Sequence, residues 1–217
     1  MTKIDTKNPD LKNGVSDSLK CDLALSTSVE RIAMLNDVIR KRIVVIDGAM
    51  GTMIQQKDLD ENDFRGNQFS QHPCPLKGNN DLLNLSQPDL IRDFHIAYLE
   101  AGVDMLETNT FSSTRIAQAD YMLEEAVFEL NREGARLARD AADEVSSRDK
   151  NQPRFVAGVL GPTNRTATIS PDVNDPGFRN IYFDELVENY SEAVLGLLEG
   201  GADLILVETV FDTLNCK

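Results

Sequence analysis

Three separate apolar runs in this chain each end in an acidic residue that small or polar residues follow at once. They are Arg42-Ile-Val-Val-Ile-Asp47-Gly-Ala-Met-Gly-Thr52, Gly102-Val-Asp-Met-Leu-Glu107-Thr-Asn-Thr110 and Gly201-Ala-Asp-Leu-Ile-Leu-Val-Glu208-Thr209. A strand buried on both faces of a parallel sheet reads as a short apolar run. A carboxylate at its carboxyl end lies where α/β barrels build their active sites. The second and third runs are near-copies, as a βα unit used twice would give, with two carboxylates at equivalent places on one rim. That rim is the expected seat of function.

The rest of the chain fits the same frame. Residues 1–28 are polar, without periodicity, and read as a mobile leader with no apolar signal-peptide core. Ser28 to Arg40 has a helical pattern that suits the bottom of a barrel. After the first run comes an irregular stretch, Gln55 to Asn84, too long for a plain connection and rich in apolar anchors such as Phe64, Leu76 and Leu83. A helix is expected from Ser86-Gln-Pro-Asp89, with Ser86 as its cap and Gly102 as its left-handed stop. Helical sequence then covers Thr114 to Ser146, with a break near Tyr121–Leu123. An apolar strand, Phe155 to Leu160, ends in Gly161-Pro-Thr-Asn164. After a second long loop, a helix stopped by Gly200 and Gly201 leads into the last run. Four strands alternating with helices predict a parallel α/β sheet, the first four units of a (β/α)8 barrel. Residues 29–217 are therefore expected to be the amino-terminal half of a larger barrel, cut just as a helix begins.

Composition closes off several classes. With 217 residues and a net charge of −14, nucleic acid and anionic membrane surfaces are not expected partners. No segment approaches the length of a membrane span. The three cysteines, Cys21, Cys74 and Cys216, are odd in number and widely spaced, which points to reduced thiols and a cytoplasmic location. Neither they nor His72 and His95 have metal-site spacing, so no metal ligand is expected within this chain.

Two kinds of group meet on the rim. In Asp47-Gly48-Ala49-Met50-Gly51-Thr52 the glycines let successive N–H groups cup an anion, although they equally suit a plain turn. Asp47, Glu107 and Glu208 need a cation instead. An amino acid supplies both, with its carboxylate for the nest and its ammonium for the acids. Thr108 and Asn109 after Glu107, and Asn164 after the third strand, are further candidates for substrate hydrogen bonds. Asp104 and Asp203, at the other ends of their strands, suit stability.

These motifs, together with Asp63-Phe-Arg-Gly66 and Lys77-Gly-Asn-Asn-Asp-Leu82, resemble the homocysteine-binding module of the cobalamin-dependent methionine synthases over residues 30–217. The segment after the first run is the more specific part, since betaine-dependent homocysteine methyltransferases have a different, shorter one there. The resemblance implies methyl transfer from methylcobalamin to the zinc-bound thiolate of homocysteine. It also implies downstream folate- and cobalamin-binding modules in the same polypeptide. The cysteines that hold zinc in that family lie beyond Lys217, so zinc and cobalamin would belong to a full-length parent and this chain alone would be inactive. Another homocysteine or selenohomocysteine S-methyltransferase and a non-catalytic amino-acid-binding module are the alternative readings.

Overall fold

The structure is a computed structural model that describes residues 28–48, 50–149 and 151–217. The expected leader, Ser28 apart, lies outside them, as do Cys21 and Ala49. Helices are α1 (28–41), α2 (Met50–Gln55), α3 (Glu61–Arg65), α4 (Leu83–Ser86), α5 (Pro88–Ala101), α6 (Arg115–Gln118), α7 (Val127–Arg148), α8 (Phe183–Glu199) and α9 (Thr213–Cys216). Strands are β1 (Met105–Glu107), β2 (Phe155–Leu160) and β3 (Leu204–Val207), all parallel, in the order β1-β2-β3. The expected first strand, 43–47, lies beside β1 but joins it through one parallel bridge, Ile46 to Met105. Two exposed side chains, Ile43 and Val45, flank that bridge on its amino-terminal side.

Alternation along the strands separates two apolar layers. Leu106, Val156 and Leu160 pack outward with Leu99 of α5, Ala135 and Ala138 of α7 and Leu197 of α8. Met105, Phe155 and Ala157 form a second cluster with Leu35 of α1, joined by Leu204 and Leu206. Glu107 follows Met105 by two positions and Glu208 follows Leu206 by two, so both acids belong to the face that α1 covers lower down. The two near-copies differ in length between their aspartate and glutamate, but by two residues, and an even difference preserves the face.

The segment expected to be an ordered excursion is one. Its Phe64, Leu76, Leu82 and Leu83 are buried with Ile54 of α2, Ile91 and Phe94 of α5 and Leu130 and Leu137 of α7. Glu61 fastens it, accepting from the N–H groups of Leu76 (2.9 Å) and Lys77 (2.8 Å). The cap of α5 differs from expectation. Ser86 is the last residue of α4 and its Oγ donates to the Leu82 carbonyl, so Gln87 stands at the cap position, where its side chain donates to the Asp63 carbonyl (2.9 Å) and caps nothing. Pro88 at the first helical position lacks one of the N–H groups that a helix start leaves unpaired, and its fixed φ suits the first turn. The expected break in the third helical stretch is real: α6 passes into a tight turn, Ala119–Tyr121, and Met122 adopts φ 56° before α7.

At the amino-terminal ends of the strands, Asp104 and Asp203 are buried and paired. Arg42 grips Asp104 with two bonds (2.6 and 2.7 Å), Arg154 adds a third (3.3 Å), and the Val45 N–H donates to it (2.9 Å). The Arg42 guanidinium holds the Asp104 carboxyl below its usual range. Asp203 accepts from Arg31 of α1, from Arg139 of α7 (2.8 Å) and from the Val156 N–H (2.9 Å). Each aspartate thus holds the backbone of the preceding strand. Left-handed glycines, Gly102 (φ 105°) and Gly201 (φ 100°), turn the chain from helix to strand two residues earlier.

Breaking a buried ion pair from one side costs about 3–5 kcal/mol, so Asp203→Ala should lower unfolding free energy by that order in denaturant melts. Asp140→Ala, which removes only the exposed pair with Arg136, should cost ~1 kcal/mol or less.

Candidate active site

A cavity of about 390 Å3 opens at the carboxyl ends of the strands. Asp47, Glu107 and Glu208 line it together with Gly48, Met50 and Gly51, and with Thr108 and Asn109. Of the expected site residues, Thr52 is exposed on α2 outside this lining, and Ala49 is outside the described residues. Asn164 is exposed and its amide donates to Asp120 Oδ2 (3.0 Å), away from the cavity. The expected anion nest is, from Met50 on, the first turn of α2, whose opening N–H groups have no partner within the helix.

The acids influence one another. Asp47 Oδ1 accepts the Glu107 N–H at 2.6 Å, which ties the first run to the end of β1. Burial, offset in part by that N–H and reinforced by the Glu107 charge, pushes Asp47 up to about 7. Burial and the neighbouring Glu208 also raise Glu107. No lysine, arginine or histidine is among the lining residues. A cation entering the cavity would meet carboxylates that lack a counter-charge. Thr209, directly after Glu208, has φ 54°, a strained conformation for a β-branched residue.

The rest of the wall comes from residues that motif reading did not single out for the site: Gly78, Asn79, Asn80, Asp81, Phe111, Ser112, Tyr121 and Val159. Paired polar side chains lace the excursion to the loop after β1. Asn84 Nδ2 donates to the Asn109 carbonyl (2.7 Å), and Asn109 Nδ2 donates to the Asn80 carbonyl (2.8 Å) and Asn84 Oδ1 (3.2 Å). Asn79 and Gln118 exchange amide bonds (2.7 and 3.3 Å). Asp81 Oδ2 accepts from the Ser112 N–H (2.7 Å) and Ser113 Oγ (2.8 Å). Thr108 Oγ1 accepts the Val159 N–H (2.9 Å) and Thr110 Oγ1 donates to the Val159 carbonyl (2.9 Å), so these hydroxyls hold the loop to β2. Gly134 of α7 leaves room for all this: a Cβ there would lie 2.6 Å from Thr110 Cγ2 and 2.7 Å from Asn84 Nδ2. The Asn79-Asn80-Asp81 cluster was the available signal, since such residues in a loop with buried neighbours must find partners.

No set of three or more histidine, cysteine, aspartate or glutamate residues with metal-binding geometry occurs among the described residues. Cys74 Sγ donates to the Tyr121 carbonyl (3.1 Å) and His72 Nε2 contacts the same oxygen (2.7 Å). His95 is buried on α5, its ring nitrogens make no hydrogen bond, and burial pushes it down to about 4. Cys216 is exposed on α9. The described residues do not fit a zinc centre. Nor is any described helix long and apolar enough to cross a membrane.

Residues 44–217 match the homocysteine S-methyltransferase family. The chain belongs to that family. Its fold is similar to that of the homocysteine methyltransferase MmuM from Escherichia coli, with a TM-score of 0.63 and 23% identity to the metallated form. That match covers 83% of this chain and 59% of MmuM, so the chain spans less than two thirds of its relative's length. The apo form of MmuM gives a TM-score of 0.55 at 20% identity, over 82% of this chain and 54% of that one. The likeness establishes an α/β fold with a parallel sheet.

The raised Asp47 has a consequence for stability. Between the ordinary carboxyl value and about 7, the folded protein retains a proton that the unfolded chain has lost, so stability falls as pH rises through that window. Urea melts from pH 4 to 8 should show this decline in the wild type and a shallower one in Asp47→Asn.

Proposed function

We propose that this chain forms part of a homocysteine pocket in an S-methyltransferase that converts homocysteine to methionine. More narrowly, we propose the amino-terminal part of the homocysteine-binding module of a cobalamin-dependent methionine synthase. The observation that carries the reading is the cavity itself: carboxylates from the ends of three of the four parallel runs, no basic side chain in its lining, and the first turn of α2 beside them. Asp47 and Glu208 bind the ammonium group of homocysteine, with Glu107 close by, and N–H groups around Gly48–Thr52 bind its carboxylate. Thr108 and Asn109 shape the wall they line near the substrate.

The sheet is read as four consecutive members of a (β/α)8 barrel. Sequential parallel order and the alternation that sends Glu107 and Glu208 to one face support it. Zinc and cobalamin enter only as cofactors of a full-length parent, where zinc would hold the thiol as thiolate and raise its nucleophilicity at neutral pH. Folate- and cobalamin-binding modules of that parent would be the partners, and the cytoplasm its location. The packed excursion between Gln55 and Asn84 favours the methionine synthase reading, because that segment distinguishes it from the betaine-dependent enzymes. The likeness to MmuM favours a second reading, another homocysteine S-methyltransferase. Supplying the parent with methylcobalamin or betaine as methyl donor separates the two.

Glu208→Gln should weaken homocysteine binding by roughly 1–3 kcal/mol, the cost of a charged hydrogen bond left unmade. Calorimetric titration of the parent protein checks this, and unchanged affinity would sink the assignment of the ammonium site.

A further inference from the structure

Asp81 stands apart from the acids at the strand ends. It comes from the excursion, in the tight turn Asn80–Leu82, and is buried (4% exposed) while lining the same cavity. Its two oxygens are used unequally. Oδ2 accepts both bonds from the loop after β1, from the Ser112 N–H and Ser113 Oγ. Oδ1 accepts none among the described residues, and it is absent from the buried atoms that are sealed away without a partner. With Oδ2 turned to the loop, Oδ1 is the oxygen left to the cavity.

An oxygen open to the cavity is free to accept from a ligand, and no basic side chain lines the cavity to occupy it. Burial pushes Asp81 up to about 6, against the two bonds that stabilise its charge. At neutral pH it is largely ionised, in a space where Asp47 and Glu107 are also raised. Asp47 Oδ1 is already committed to the Glu107 N–H. An ammonium carries three N–H donors, and the cavity offers them only carboxylates and neutral polar groups, Asp81 Oδ1 among them.

We propose that Asp81 is a further ligand-contacting residue, whose Oδ1 accepts an N–H of the substrate ammonium and selects amine-bearing thiols over neutral ones. The proposal rests on the homocysteine reading above. Because Oδ2 is fixed by the loop after β1, the same side chain positions that loop and contacts the ligand.

Two ligands separate this from a purely structural role: homocysteine and 4-mercaptobutanoate, which has the same skeleton without the amine. Calorimetry on the purified parent protein should give the wild type a clear preference for homocysteine. Asp81→Asn, which retains an oxygen acceptor for the loop, should lower that preference about tenfold, as expected for a lost charged hydrogen bond, and leave affinity for 4-mercaptobutanoate unchanged. Ser113→Ala, which removes only a bond to Oδ2, should leave the preference intact. Carboxyl carbon-13 NMR of the wild type gives a reading that needs no substitution. Homocysteine, but not 4-mercaptobutanoate, should lower the Asp81 midpoint by roughly one unit or more, as a nearby positive charge does. Full preference in a folded Asp81→Asn, or an Asp81 midpoint that homocysteine leaves in place, overturns the proposal. A wild type that binds both ligands equally overturns the underlying amine reading, and the proposal with it.

Discussion

The architecture depends on carboxylates at the bottom of the sheet that are locked by arginine. Asp104 and Asp203 each spend one oxygen on the N–H of the preceding strand, at Val45 and Val156, and the remaining valences on guanidinium groups from other elements. A sheet of short parallel strands has few ladder bonds to fix its register, and a slip by one residue would exchange the faces of every side chain. The clamps prevent that slip from the side of the strand farthest from the cavity. Because Arg31 comes from α1, Arg139 from α7 and Arg42 from the end of α1, the same ions also fix the helices against the sheet. Glu107 and Glu208 reach the cavity because the aspartates three and five residues earlier hold their strands in place.

The two ends of each strand show opposite treatments of the same chemical group. At the bottom, Asp104 meets arginine and is held ionised; at the top, burial, with neighbouring acids adding to it, pushes Asp47 and Glu107 towards the neutral form. The energy that the lower carboxylates gain from their partners is withheld from the upper ones. Such a cavity suits a positive group from outside, which would take over from bound protons in offsetting the repulsion between its acids. This is the usual relation between a stabilising shell and a binding centre, with perturbed titration concentrated where ligands act.

Much of this was legible in the residues. Short apolar runs ending in Asp47, Glu107 and Glu208 announced parallel strands and the rim, and Gly102 and Gly201 marked helix ends with the left-handed geometry they adopt. The first run was less regular than its Ile-Val-Val-Ile composition suggested, because strand pairing depends on neighbours that a local pattern does not contain. Ser86 had the side chain of a cap but belonged to the turn before it. The wall of the cavity was the least legible part. Asn79, Asp81, Asn84 and Gln118 acquire their roles only when the excursion folds against the loop after β1, a contact between segments with no shared periodicity. Asn164 had the right place after a strand and a different partner, Asp120.

Gly134 carries this dependence furthest from the cavity. It lies in the middle of a long amphipathic helix, where its flexibility would ordinarily be a small liability, yet Asn84 and Thr110 lean on the space its missing side chain leaves. Mutational tolerance along α7 is therefore uneven in a way that surface exposure does not reveal. A single added methyl at that position would be transmitted through Asn84 and Asn109 to Asn80 in the cavity wall, so the helix backbone acts as a template against which the recognition loops are cast.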